Sequence, residues 1–94
     1  MTSVQAVTPD TVLRRAPAAR FRKFRSKLFV ANASLAFELD EVAEFIFRQV
    51  DGTATVRQIG ERLAAEYDVA VEEAVTDCGE LLAHLAENGM VDTA

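Results

Sequence analysis

The strongest pattern in the chain is a stripe of apolar residues at helical spacing near its C-terminal end. At about 100° per residue, eight apolar positions share an arc of about 140°, and five acidic residues fall outside it. The apolar positions are Val71, Ala74, Val75, Cys78, Leu81, Leu82, Leu85 and Ala86, and the acids are Glu72, Glu73, Asp77, Glu80 and Glu87. The pattern predicts an amphipathic helix over about residues 71–88. It should end at Gly89, which suits the left-handed position after a helix.

Two shorter helices are predicted before this one. Asp40 is placed to cap a helix over about residues 41–50, which the Asp51-Gly52 pair then breaks. A new helix start is expected at Thr53 or Thr55, and the second helix is predicted over about residues 55–67. The apolar stripes are Val42, Ala43, Ile46, Phe47 and Val50 in the first helix, and Val56, Ile59, Leu63 and Ala64 in the second.

The N-terminal part has the shorter period that is typical of strands. Residues 27–31 are β-prone, Asn32 suits a turn, and the segment after it alternates apolar with small or charged positions. Its apolar members are Leu35, Phe37 and Leu39. The pattern predicts a hairpin, and a further strand is predicted over residues 20–25.

The two ends of the chain are expected to behave differently. Residues 1–11 have no hydrophobic period and are expected to form a disordered tail, so that residues 12–94 make up the single domain. Met90 and Val91 are expected to return to the body of that domain. The predicted fold is α+β, and its outline of a hairpin followed by three helices resembles a winged helix-turn-helix.

Size and composition indicate one folded domain. With 94 residues, 50% of them hydrophobic and 27% charged, the chain can bury a modest core and is too apolar to stay disordered. Its longest uncharged run, residues 28–37, is well short of the roughly 18 residues that span a bilayer. The first residues lack a signal-peptide pattern and the lone Cys78 cannot build a disulfide framework. A cytoplasmic protein without a membrane partner is expected.

Charge is divided between the two parts of the chain. Residues 1–37 carry seven basic residues and one acid, a net charge of +6, whereas residues 38–94 carry three basic residues and fourteen acids, a net charge of −11. The basic residues of the first part are Arg14, Arg15, Arg20, Arg22, Lys23, Arg25 and Lys27. This block either protects a strand edge from other chains or steers an acidic partner, through attraction that salt weakens.

The outline of a hairpin and three helices makes DNA binding a possibility to test. Residues 71–88 contain five acids and no Lys or Arg, whereas a recognition helix approaches a backbone with one negative charge per roughly 1.7 Å. We therefore expect no nucleic-acid partner. A winged-helix transcriptional regulator is kept as an alternative from a different class.

The sequence contains no group of residues that predicts catalysis, a metal or a cofactor. Cys78 and His84 lie about 240° apart on one helix, so they cannot act as a pair, and Cys78 falls in the apolar arc like a buried structural thiol. A possible ligand stripe consists of Glu73, Asp77, Glu80 and His84. A metal would need ligands from a facing helix as well, so a solvated face is the simpler interpretation. Neither a Gly-rich phosphate loop nor the Asp-Ser start of a carrier-protein helix occurs.

The order of these cues resembles the PqqD-like family, the recognition domains for ribosomally made, post-translationally modified peptides. The resemblance covers about residues 20–92. It rests on Phe37-Glu38-Leu39, Ile46, Val50-Asp51-Gly52, Thr55-Val56, Ile59, Leu63, Tyr67, Asp77, Leu82, Leu85 and Gly89-Met90-Val91. The chain departs from the family at Asp40, where asparagine is frequent, and at Cys78, where valine is usual. Gly79 also interrupts the third helix, at a cost of about 1 kcal/mol relative to alanine.

The resemblance implies an N-terminal three-stranded antiparallel sheet packed on three helices. It also implies that a precursor's leader segment adds as a further strand between the sheet edge and the third helix. The implied edge is Ser34, Leu35, Ala36, Phe37 and Glu38. The implied helix wall is Ala74, Asp77, Cys78, Leu81 and Leu85, with Asp77 at its rim. Core packing is the alternative role for the apolar members of the wall, and Leu81, near the border of the arc, is the best candidate for contact with a peptide.

The implied function is that of a non-catalytic peptide chaperone without a cofactor. It would bind a precursor's leader peptide and present it to a modifying enzyme, commonly a radical S-adenosylmethionine enzyme. For electrostatic steering of a partner the candidates are Arg20, Arg22, Lys23, Arg25 and Lys27. A structural partner subunit, which binds the enzyme without touching a peptide, is the second alternative.

Overall fold

The computed structural model describes residues 7–94, and this part of the chain forms two sheets and three helices. In chain order the elements are β1 (Leu13–Arg15), β2 (Arg20–Phe24), β3 (Lys27–Ala31), β4 (Ala36–Leu39), α1 (Glu41–Gln49), α2 (Val56–Tyr67), α3 (Val71–Glu87) and β5 (Val91–Thr93). β2, β3 and β4 form an antiparallel sheet in that order, and β1 pairs with β5. The predicted fold class is confirmed.

The helices cover one face of the three-stranded sheet. Leu28 and Val30 of β3 and Leu39 of β4 are buried on this inner face. Phe21 of β2 packs edge to face on Phe47 of α1, with ring centroids 5.5 Å apart. On the opposite, outer face the side chains of the three strands are exposed or half-exposed, so no element of residues 7–94 covers it.

The β2–β3 turn has an unusual backbone. Arg25 and Ser26 both have positive φ, +53° and +68°, which is the pattern of a two-residue type I′ turn. The register follows from it, with Phe24 opposite Lys27. A type I′ turn matches the right-handed twist of the strands, although glycine and asparagine adopt it at lower cost than arginine and serine.

Both predicted helix starts before α3 are confirmed by hydrogen bonds. The Asp40 carboxylate accepts from the Ala43 N–H at 2.8 Å. Thr55 and Gln58 form a capping box, in which the Thr55 hydroxyl accepts from the Gln58 N–H and the Gln58 side chain accepts from the Thr55 N–H. Each cap satisfies amides that the first turn of a helix leaves unpaired.

The Asp51-Gly52 turn is confirmed and is held by one carboxylate. Asp51 accepts hydrogen bonds from the backbone N–H groups of Ala54 and Thr53 and from the Thr53 hydroxyl. These bonds favour the charged form and lower the pKa of Asp51 to about 2. Gly52 has φ +86°, a conformation that L side chains rarely adopt.

The core lies between the helices and the inner face, and α2 and α3 are in tight contact at Gly60. A Cβ atom built on Gly60 would lie 2.6 Å from Val75 Cγ2 and 2.7 Å from Val75 Cα. The largest fully buried side chains are Phe47, Leu13, Leu28, Ile46, Ile59, Leu82, Leu85, Met90, Val30, Val50, Val56 and Val91. Burial of Met90 and Val91 confirms that the chain returns to the domain after α3.

The β1–β5 sheet was not predicted from the sequence. It pairs Leu13 with Thr93 and Arg15 with Val91.

The residues before β1 also differ from the expectation of a disordered tail over residues 1–11. Residues 1–6 lie outside the described residues, but the Pro9 and Thr11 carbonyls accept from backbone N–H groups at the start of α2. The contacts with the domain therefore begin a few residues before position 12.

Candidate functional site

Strand β4 forms an open edge of the three-stranded sheet. The Asn32 N–H donates to the Leu35 carbonyl at 2.9 Å, next to the paired residues Ala31 and Ala36. In an antiparallel ladder, bonded and non-bonded pairs alternate. The N–H and C=O of Phe37 therefore face β3, whereas those of Ala36 and Glu38 point away from it. Among the described residues, these outward groups have no partner strand.

Helix α3 lies beside this edge, and one ring contact fixes which of its sides faces β4. The His84 ring packs edge to face against Phe37 of β4, with centroids 5.4 Å apart. Leu81 and Asp77, three and seven positions earlier, share that side of the helix by helical spacing. Leu81 is half-buried and Asp77 is exposed. Together with Phe37 and His84 these residues define the surface between β4 and α3, which we call the β4–α3 cleft.

The turn before β4 closes one end of the cleft. Asn32 Nδ2 donates to the Asn88 carbonyl at 2.8 Å, which ties the turn to the end of α3. Asn32 Oδ1 accepts from the N–H groups of Ser34 and Leu35. Those two amides are already bonded, so the part of the predicted edge that is free for an added strand begins at Ala36 rather than at Ser34.

The residues expected on α3 separate into two groups. Ala74, Cys78 and Leu85 are fully buried and belong to the core, which was the alternative role for them. Leu81 and Asp77 are the members with exposed surface. His84 was not predicted as a cleft residue. The signal for it in the sequence is its position three residues after Leu81, which places both on the same side of the helix.

The five basic residues expected to steer a partner do not lie at this edge. They are on β2, on the turn after it and at the start of β3, so β3 separates most of them from β4. Lys23 bonds Glu44 at 2.7 Å, and Lys27 pairs with Glu38 at 3.0 Å. The hydrogen bond from Lys23, followed by that from Arg48, holds the pKa of Glu44 below its usual value.

Within residues 7–94, no group of three or more His, Cys, Asp or Glu side chains is placed to hold a metal ion. The same residues include no helix that is long and apolar enough to cross a membrane. Cys78 is buried, and burial, with a smaller effect from Asp77, raises the pKa of its thiol to about 11.

Cys78 should therefore be inert toward alkylating reagents in the folded protein. Because the thiolate is the reactive form, we expect iodoacetamide at pH 8 to modify folded protein about 100-fold more slowly than protein unfolded in guanidinium. Mass spectrometry over time measures both rates. Equal labelling rates would show that Cys78 is accessible.

The raised pKa also means that the thiol's contribution to stability is complete below about pH 8.5 and is lost as the pH rises toward 11.

An open strand edge beside a helix that offers a half-buried leucine is the arrangement of domains that accept a peptide as an added strand. The family model described as Coenzyme PQQ synthesis protein D (PqqD) matches residues 28–91. The chain belongs to the PqqD family.

Relatives and solved structures agree with this assignment. A protein named PqqA binding protein, from Xanthomonas oryzae pv. oryzae (strain PXO99A), is 29% identical over 90 residues, which cover 94% of this chain and 98% of that protein. The PqqD truncation of Methylobacterium extorquens PqqCD, described as a functional and stand-alone recognition element for ribosomally synthesised and post-translationally modified peptides, is similar with a TM-score of 0.79 and 29% identity. The similarity covers 93% of this chain and 95% of that one.

A second solved structure shares the fold at lower sequence identity. It is a lasso peptide synthetase B1 complexed with the leader peptide, with a TM-score of 0.76 and 21% identity, covering 85% of this chain and 96% of that one. At this identity the similarity concerns the fold alone.

Proposed function

We propose that this chain recognises the leader segment of a ribosomally made precursor peptide and presents it to the enzyme that modifies the peptide. The observation that carries the proposal is an open strand edge next to α3. On this edge the backbone N–H and C=O groups of Ala36 and Glu38 point away from β3. An added strand would bond their N–H and C=O groups, and its alternate side chains would enter the β4–α3 cleft. The names of the relatives make a PqqA-type precursor the first peptide to test.

The domain itself performs no bond chemistry in this proposal. Its lone cysteine is buried with a raised pKa, and its lone histidine packs against Phe37. Among residues 7–94, neither side chain is paired with a group that would activate it as a nucleophile or a base. A free thiol also suits a reducing compartment, so we place the chain in the cytoplasm.

Titration of the labelled domain with a synthetic leader peptide, followed by NMR, tests the proposal. Chemical shifts should change along residues 36–39 and on the side of α3 that carries Asp77, Leu81 and His84. Changes confined to other surfaces, or no binding with or without the modifying enzyme, would contradict peptide recognition. Binding to the enzyme alone would favour a structural subunit, and binding to random duplex DNA at low salt would favour a regulator.

Replacement of Leu81 with glutamate should weaken peptide binding by about 10- to 100-fold. A charge in the cleft would have to lose water when the peptide's apolar side chain covers it. Calorimetry measures the affinity. Val71→Glu is the matched control, because it introduces the same charge at an exposed valine about 15 Å away along the same helix. Equal affinities for the two variants would remove Leu81 from the binding surface.

A further inference from the structure

The outer face of the three-stranded sheet combines arginine and phenylalanine side chains. Strand alternation separates β2 into an inner set, Phe21 and Lys23, and an outer set, Arg20, Arg22 and Phe24. The inner assignment follows from contacts, since Phe21 packs on Phe47 and Lys23 bonds Glu44, both of α1. Cross-strand pairing adds Phe29, which lies opposite Arg22. We call Arg20, Arg22, Phe24, Arg25 and Phe29 the outer-face patch.

The arginines of the outer-face patch carry charge that the described chain does not neutralise. Among residues 7–94, Arg20, Arg22 and Arg25 form no ion pair, whereas Lys23 and Lys27 pair with Glu44 and Glu38. This contrast separates the steering candidates into two paired lysines and three unpaired arginines. Unpaired positive charge on a protein of net charge −5 attracts an acidic surface.

The aromatic part of the patch is exposed at the end of the β2–β3 hairpin. Phe24 is 56% exposed, and the Arg25 guanidinium lies 5.4 Å from its ring centroid. The turn that places Arg25 there uses positive φ at two residues other than glycine. Phenylalanine and arginine are both enriched at protein interfaces, and arginine is also enriched among the residues that dominate the binding energy.

We propose that the outer-face patch is the docking surface for the peptide-modifying enzyme, which binds it through an acidic surface. The inference rests on the proposed function. A peptide strand added at β4 would continue the same sheet, about 10 Å from β3, and would turn its outward side chains to the same face as the patch. An enzyme bound there contacts the domain and reaches the peptide without competing for the β4 edge.

The experiment uses the purified modifying enzyme encoded with the precursor and compares two double variants of the full chain. Arg20→Glu with Arg22→Glu reverses two charges of the patch. Arg57→Glu with Arg62→Glu makes the same charge change at exposed positions of α2 and is the control. Calorimetry measures the affinity of each for the enzyme and, separately, for the leader peptide, and thermal unfolding verifies the fold.

The patch variant should bind the enzyme about 10- to 100-fold more weakly than the control, with a smaller salt dependence, while both bind the leader peptide within about twofold of the original chain. Phe24→Ser should weaken enzyme binding alone by a similar factor, which keeps the proposal testable if the double variant unfolds. Failure of the original chain to bind the leader peptide would count against the proposed function and not against the patch.

Three results would overturn the docking proposal. Enzyme affinity could be equal for patch and control variants. The patch variant could lose salt-dependent association with the leader peptide instead, which would make the arginines a steering surface for the peptide. Finally, the original chain could bind random duplex DNA or self-associate through the patch. In that case the patch variant would lose that binding but keep its affinity for the modifying enzyme.

Discussion

Ala36→Pro is expected to weaken leader-peptide binding by about 100-fold or more while the domain stays folded. Proline removes the N–H of Ala36, and the peptide carbonyl opposite it would be left without a donor in a partly dry cleft. Such a loss is worth about 1–3 kcal/mol, and the proline ring also obstructs the approach of the added strand. The β3–β4 ladder should persist, because the Ala36 N–H points away from β3.

The matched control at this position is Ala36→Thr, which adds a side chain of similar bulk but keeps the N–H. It should bind the leader peptide nearly as well as the original chain, since threonine is favoured in strands and the side chain points to the exposed outer face. Calorimetric titration gives both affinities, and thermal unfolding gives the stabilities. If the proline variant bound the peptide as tightly as the threonine variant, strand addition at β4 would be excluded.

Gly60→Ala is expected to destabilise the domain by about 2 kcal/mol and to lower the melting temperature by about 10 °C. The new Cβ would overlap the backbone and side chain of Val75, where the nearest atoms are 2.6 and 2.7 Å away. Backbone atoms cannot rotate out of the way, so α2 and α3 must separate. Chemical denaturation followed by circular dichroism measures the change.

The other helical glycine of this helix pair supplies the control. A Cβ on Gly79 would lie 3.9 Å from Val56 Cγ1, an ordinary contact distance, so Gly79→Ala should stabilise α3 by up to about 1 kcal/mol. The two substitutions add the same methyl group and should have opposite signs. A neutral Gly60→Ala variant would mean that the helices can move apart without loss of packing.

The helices, the hairpin and the order of elements could be predicted because each has a local cause. Asp40 and Thr55 are side chains that cap helices, and both do so. Gly89 stops α3 with φ +78°. The alternation around Phe37 placed the inner face of β4 correctly, since its side chain is directed toward α3. In these cases the residue and its immediate neighbours decide the structure.

Features that depend on distant residues were not predicted. β1 and β5 are three residues long and lie at opposite ends of the described chain, so neither has a period of its own. Asn32 looked like a turn residue, but its second bond, to Asn88, requires the end of α3 to be close. The basic residues formed one block in the sequence, and only the position of Glu44 and Glu38 separates the paired lysines from the unpaired arginines.

The β1–β5 pairing has a consequence for joining this domain to other proteins. Leu13 and Thr93 are partners in the ladder, and the Ala94 N–H donates to the Val12 carbonyl, so polypeptide attached after β5 would start beside β1. β1 lies on the β2 side of the sheet, because the Arg15 guanidinium is 4.7 Å from the Phe21 ring centroid. A domain fused after β5 through a short linker would thus start from the side of the sheet opposite β4, away from the open edge.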